Sequence, residues 1–207
     1  MTELTLRDPF LHLERYVLGV EKSQLWVVVF RHPGGAFDDE LYLVNRPPPG
    51  RGSFGWAPVR DGPLATACGP FRCTADPSEY YKEHPLNPKG CATIEGGIAT
   101  DQALILGYHK ADRDRPALQN RGFHAVPYRR WGWPGRESNY IGLAIHNRTK
   151  ADKAVKVGAH SAGCIVMYED EDLNTIIERV LAYQTKTETT AYVGLLVIDL
   201  PPTPETT

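Results

Sequence analysis

Residues 140–167 read YIGLAIHNRTKADKAVKVGAHSAGCIVM and contain two strand patterns joined by a charged loop. In the first strand, apolar residues alternate toward one face, while small residues on the opposite face lead up to His146. After the loop, the small-residue turn at 161–163 leads to Cys164 and the apolar run 165–167. A single strand–loop–strand excursion can therefore bring the imidazole and the thiol together.

This pairing fits the needs of a cysteine nucleophile. A histidine can take the thiol proton, and a glycine lets backbone N–H groups approach an oxyanion. We therefore predict Cys164 as nucleophile, His146 as its base and Gly163 as part of the oxyanion hole. Each residue also has a plainer interpretation, as a small buried thiol, a strand-end imidazole with a local hydrogen bond and a turn glycine. Spacing alone leaves both open.

Two neighbouring residues have open roles as well. Ser161 can present its hydroxyl to the site or stabilise the turn through its own backbone. The imidazole needs an orienting partner. This partner is either Asn147, whose side chain points the other way in a strand, or a backbone carbonyl.

The segment resembles the catalytic signature of the L,D-transpeptidase (YkuD-like) family, which is a histidine followed, after a spacer, by Ser/Thr-His-Gly-Cys and an apolar residue. The matching positions are His146, Ser161, Gly163, Cys164 and Ile165. Two positions depart from the family pattern. Ala162 stands in place of the histidine before the glycine, with His160 two places upstream, and Val166 stands where a polar residue is usual.

The resemblance implies a cysteine enzyme that forms a thioester with peptidoglycan stem peptides, as an L,D-carboxypeptidase or endopeptidase or as an L,D-transpeptidase. It implies a mainly β fold with α (α+β), a mixed sheet or β-sandwich of L,D-transpeptidase type with one packed C-terminal helix and long loops. Further substrate contacts are expected from Tyr108, His109, Asn147 and His160. No metal or organic cofactor is required.

Two other functions remain open. The missing family histidine motivates a non-catalytic module that keeps the fold, for cell-wall binding or within a phage particle. A cysteine hydrolase of small amides differs from the first hypothesis only in substrate.

Composition predicts one domain over residues 1–200, with its His/Cys core at 140–167 and a flexible tail at 201–207. The formal net charge of -2 gives no reason to expect nucleic acid as a partner. The four cysteines show no metal-binding spacing, and a disulfide among the first three stays open.

The first residues lack a basic segment followed by an apolar core, and no apolar run has the length of a membrane span. We therefore predict no signal peptide and no membrane span. Action in the periplasm or cell wall is then expected after delivery or lysis, as a phage lysin or an antibacterial effector. Delivery machinery or an immunity protein would be a further partner.

Periodicity predicts five other elements. The runs 25–30 and 40–44 form a hairpin, and 103–109 forms a strand that ends in a histidine. An apolar stripe from Leu173 to Leu181 predicts a helix, and 191–200 predicts a central closing strand. Residues 45–100 carry short strands or a functional lid.

The segment 127–134, PYRRWGWP, combines cations with aromatic rings just before the histidine strand. We favour tryptophans that pack onto the core while the arginines stay in water. Contact with a glycan is the second interpretation, and contact with nucleic acid is the third.

Overall fold

A computed structural model describes residues 7–17, 23–33, 37–45, 66–108, 115–138, 142–147, 161 and 163–202. Two predicted substrate contacts, His109 and His160, lie outside these residues, as do Ala162 and residues 203–207 of the predicted tail. The helices are α1 (Pro9–Tyr16), α2 (Glu79–Glu83) and α3 (Asp170–Thr187). The strands are β1 (Leu25–Arg31), β2 (Asp39–Asn45), β3 (Thr66–Thr74), β4 (Ala92–Ile94), β5 (Ala99–Tyr108), β6 (Pro116–Gln119), β7 (Pro127–Arg130), β8 (Trp133–Ser138), β9 (Ala144–Asn147), β10 (Ile165–Met167) and β11 (Val193–Asp199).

The protein is mainly β with a few helices, as predicted. Eight strands form a mixed sheet in the order β1–β11–β5–β6–β9–β10–β3–β2, and β2 pairs back onto β1. The pairs β1/β11 and β9/β10 are parallel, whereas the other neighbours are antiparallel. Of the two expected forms, the mixed sheet is therefore present, and it closes on itself as a barrel and is not clearly a β-sandwich. A second sheet has the order β4–β7–β8.

The predicted hairpin and closing strand are confirmed. Strands β1 and β2 pair antiparallel, and β11 lies between β1 and β5. Helix α1 covers the outer face of β1, β2 and β11 through Leu13 and Val17. Burial on both faces explains why β1 and β11 are almost continuously apolar. At Gly194 an added Cβ would lie 2.4 Å from the Trp26 ring, so glycine is required there.

The predicted helix is α3, and its apolar stripe joins the inward-facing residues of the barrel in one core. Leu173, Ile176, Ile177 and Val180 are buried in that core. Leu181 is not, because 45% of its surface is exposed. At 100° per residue it lies at the edge of the stripe, beyond Ile177.

Residues 66–100 supply β3, α2, β4 and the start of β5. The expectation of short strands in this region is therefore confirmed for its described part. None of the helices in the described ranges has both the length and the apolar character needed to cross a membrane.

Candidate active site where strands β9 and β10 meet

The parallel pairing of β9 with β10 sets the relative positions of the histidine and the cysteine. Ile165 lies opposite Ile145, and Val166 lies opposite His146. Both isoleucines point into the core, so the alternating residues face outward. Extending the register by one residue sets Cys164 opposite Ala144, on the outward face. Strand spacing and rise then place the Cα atoms of Cys164 and His146 about 8 Å apart, one diagonal step on a shared face.

Cys164 lies immediately before the first residue of β10. Cys164 is half-buried, and its Sγ lies 3.9 Å from the carbonyl oxygen of Gly142, just before β9. The residues between the thiol and the imidazole on that face are small, since Ala144 is the nearest outward residue on β9. Ala144 is itself only 2% exposed, so its small side chain does not by itself open a space beside the sulfur.

The imidazole of His146 is held in one orientation. Its Nδ1 lies 2.7 Å from the backbone oxygen of Asn147, and the residue is 2% exposed. A carbonyl oxygen only accepts, so Nδ1 is the donor and carries the proton. In the neutral ring, Nε2 is therefore the basic nitrogen. The orienting group is thus the backbone carbonyl, one of the two partners left open by the sequence.

Ser161 stabilises the turn. It is fully buried, and its hydroxyl lies 2.8 Å from the backbone oxygen of Cys164 and 3.2 Å from that of Asp76. It also accepts a hydrogen bond of 3.4 Å from the Gly163 N–H. On the other side, the Ser78 N–H donates to the Ser161 carbonyl at 3.0 Å. These contacts support the turn-stabilising role of Ser161, and they direct the Gly163 amide inward.

Gly163 is one of the places where the barrel contacts the second sheet, through the turn that precedes β10. Its φ of +123° lies in the region that favours glycine, and an added Cβ would lie 2.4 Å from the Ala92 oxygen of β4. No other residue fits this turn without separating β4 from it. The glycine predicted for oxyanion chemistry therefore also has a packing reason.

The other predicted substrate contacts are not assembled with the thiol. Strand alternation places Tyr108 on the face of Leu106, which packs against the core. It places the Asn147 side chain on the face of Ile145. Both faces are opposite to that of His146. Tyr108 is 49% exposed at the end of β5, so it lies at the barrel rim rather than beside Cys164.

Gln119 is a neighbour of the site that sequence reasoning did not select. It pairs with Ala144 and so lies in the same outward row as Cys164. Its Nε2 donates to the Tyr108 carbonyl, which fixes the amide along the sheet. Gln119 can be recognised as a neighbour only from the strand register, because short sequence patterns do not show which strands pair.

The remaining cysteines are poorer candidates for the nucleophile. All four cysteines are free thiols, so the disulfide that the sequence left open is not formed. Burial raises the pKa of the thiols of Cys68, Cys73 and Cys91, which disfavours their thiolates.

The prediction for the segment 127–134 is wrong for both tryptophans and for Arg130, but it is confirmed for Arg129, whose side chain is 65% exposed. Trp131 is 56% exposed and Trp133 is 47% exposed. Arg130 is instead largely buried, with 11% of its side chain exposed, and its Nε lies 3.4 Å from Glu137 Oε1. The charge partner explains the reversal, because a guanidinium can be buried when it is matched by a carboxylate.

A cavity of about 500 Å³ lies between α3 and strands β1–β3, lined among others by Cys68, Arg179 and Tyr183. It does not include Cys164 or His146. The predicted thiol–imidazole pair therefore lies outside this cavity. The site on β9 and β10 is the stronger candidate for a cysteine nucleophile because it combines a thiol with an oriented imidazole.

Within the described residues, no group of three or more His, Cys, Asp or Glu side chains is arranged to hold a metal ion. No known protein family, no curated protein and no solved structure matches the chain.

Proposed function

We propose that the protein is a cysteine enzyme that transfers acyl groups of peptidoglycan stem peptides through a Cys164 thioester. The observation that carries this proposal is the parallel register of β9 and β10, which sets Cys164 and His146 on one face. The signature shared with the L,D-transpeptidase family over residues 146–165 supports the choice of substrate, and the eight-stranded barrel would then be a variant of that fold.

The first step moves one proton and forms one bond. The Cys164 thiol must first turn from the Gly142 carbonyl, which it contacts in the structure, toward His146. His146 Nε2 then accepts the thiol proton, because Nδ1 already donates to the Asn147 carbonyl. The thiolate attacks the carbonyl carbon of a peptide bond, and the carbonyl oxygen gains the negative charge. Because the Gly163 amide donates to Ser161, the Cys164 amide is assigned to this oxyanion. Such a donor contributes about 3 kcal/mol to lowering the barrier.

The second step expels the amine. The imidazolium returns its proton to the departing nitrogen as the C–N bond breaks, and a thioester remains on Cys164. Water or a second amine then attacks the thioester, with His146 again as base, and regenerates the thiol. Water gives a carboxypeptidase or endopeptidase, whereas an amine of a neighbouring stem gives a crosslink. The site of action would be the periplasm or the cell wall.

A second candidate is a non-catalytic module of the same fold. The inward direction of the Gly163 N–H favours it, because an oxyanion hole of the predicted kind uses this amide. In the first candidate Cys164 is required to cleave or join stem peptides. In the second candidate the protein leaves the peptidoglycan unchanged, and Cys164 is only part of its surface.

The test is digestion of purified peptidoglycan by the wild type and by Cys164→Ala, with the products resolved by mass spectrometry. Cys68→Ala is the matched control, because it removes another half-buried thiol far from His146. We expect new muropeptides from the wild type and from Cys68→Ala but none from Cys164→Ala. Their masses separate hydrolysis from transfer. Identical products from all three folded proteins would leave the non-catalytic module as the function.

A further inference from the structure

The second sheet presents two tryptophans to solvent at the turn between β7 and β8. Trp131 is 56% exposed and Trp133 is 47% exposed. We call this pair the Trp131–Trp133 platform. Rings of this size are usually buried, and neighbouring exposed rings are typical of a binding surface.

The platform is held in place by neighbouring residues. Lys82 Nζ lies 4.5 Å from the centre of the Trp131 ring, and Lys89 Nζ lies 5.5 Å from that of Trp133. The backbone N–H of Trp131 donates to the Cys91 carbonyl at 2.9 Å. A surface that is ordered before binding loses less entropy when the ligand arrives.

Three cations around the platform share two carboxylates. Lys82 pairs with Glu79 at 2.6 Å, and Lys89 lies 3.8 Å from Glu137. Arg130 also pairs with Glu137. A surface for nucleic acid or an anionic membrane needs cations in large excess, whereas here the excess is one, because Lys89 and Arg130 share Glu137. This small net charge favours a ligand with little charge that offers flat apolar faces, and the C–H faces of pyranose rings have this character.

The platform is also joined to the candidate active site from two sides. Ala92 of β4 contacts Gly163 and pairs with Arg130, the residue before Trp131. These steps place Trp131 within about 15 Å of the catalytic turn. From the other side, the Ser78 N–H bonds to the Ser161 carbonyl and Ser78 caps α2, the helix of Lys82. A polymer on the platform therefore passes within about 15 Å of the turn that carries Cys164.

We propose that the Trp131–Trp133 platform binds the glycan strand of peptidoglycan by stacking its sugar rings, and so holds the attached stem peptide near Cys164. The identity of the glycan rests on the proposed function. The binding itself does not, since it requires neither Cys164 nor turnover.

The test therefore separates binding from catalysis. Binding is measured by calorimetry with a chitin oligosaccharide and with glycan strands freed of peptides, using Cys164→Ala as background. Turnover is measured in the Cys164-containing protein on intact sacculi and on a free stem peptide. The platform variant is Trp131→Ala with Trp133→Ala, and Phe123→Ala is the matched control because its ring is 62% exposed on a different loop.

We expect the platform variant to bind glycan about tenfold or more weakly, by analogy with the stacking of bases on aromatic rings. In the Cys164→Ala background, Phe123→Ala should bind glycan as tightly as Cys164→Ala alone does. Replacing both tryptophans by phenylalanine retains two rings and should retain most of the affinity, which excludes misfolding as the cause of a loss. On sacculi the platform variant should be slower, whereas its rate on the free stem peptide should be unchanged.

Three results overturn the proposal whether or not the protein is an enzyme. The first is no saturable binding of either glycan by the unmodified background. The second is equal binding by the platform variant. The third is binding of a DNA oligonucleotide in place of glycan, with an affinity that depends on both tryptophans and falls with salt. If glycan binds as expected but no variant has turnover, the platform stands and the proposed activity fails.

Discussion

Substitution of Gly163 by alanine gives the sharpest test of the turn that carries Cys164. The left-handed φ of +123° makes any Cβ unfavourable there, by about 1–3 kcal/mol. The new Cβ would also lie 2.4 Å from the Ala92 oxygen, below the 3.0 Å at which something must shift. The atoms must therefore separate by at least about 0.6 Å, and overpacking of this kind costs about 1–3 kcal/mol more.

The matched control is Gly97→Ala. Gly97 has a φ of +74°, but an added Cβ would meet only the Tyr16 ring at 3.8 Å, which is ordinary contact. It should therefore show the backbone cost alone. We expect Gly163→Ala to lower the free energy of unfolding by about 2–6 kcal/mol and Gly97→Ala by about 1–3 kcal/mol. Urea titration of both variants measures the difference.

Gly163→Ala should also change the reactivity of the Cys164 thiol. A displacement approaching 1 Å at a catalytic turn can cost about 100-fold in rate. The rate of Cys164 alkylation by iodoacetamide, corrected for the other thiols with Cys164→Ala, should fall in Gly163→Ala and stay constant in Gly97→Ala. Equal stability and equal alkylation in the two variants would contradict the contact between the turn and β4, and with it the placement of Cys164.

Two further predictions concern buried polar groups. Ser161→Ala should cost about 1–3 kcal/mol of unfolding free energy because its partners lose a buried hydroxyl, and Ser23→Ala should cost a similar amount, since Ser23 Oγ accepts from the Gln102 N–H at 2.8 Å. Only Ser161→Ala should slow Cys164 alkylation, and an equal slowing in Ser23→Ala would disprove the specific role of the turn. Burial raises the pKa of Asp39 to about 6 from an ordinary 3.8, so the folded chain binds this proton more tightly than the unfolded chain. The free energy of unfolding should therefore fall by at most about 3 kcal/mol as the pH rises from about 4 to about 6. Asp39→Asn should remove that slope, and urea titrations that show the same slope in both proteins would contradict the assignment.

Local sequence patterns were sufficient to predict an element wherever the spacing of its apolar residues determines which face is buried. The β1/β2 hairpin, helix α3 and strand β11 are predictable because their apolar residues recur at the spacing of one secondary structure. Barrel closure is not predictable in this way. It depends on β2 pairing with both β1 and β3, which are contacts between strands whose sequences do not specify a partner.

The candidate site shows the same division. The identity of His146 and Cys164 follows from their residue types, but their common face follows from the β9/β10 register, which no local pattern contains. A shift of this register by one residue would turn one of the two side chains to the core.

The tryptophans were misjudged for a related reason, since hydrophobicity predicts burial for Trp131 and exposure for Arg130. Glu137 reverses that order because it pairs with the guanidinium on the inner side of the sheet. The exposed rings and the Arg130–Glu137 pair are therefore the features that sequence reasoning missed, because both depend on which side chains the second sheet brings together.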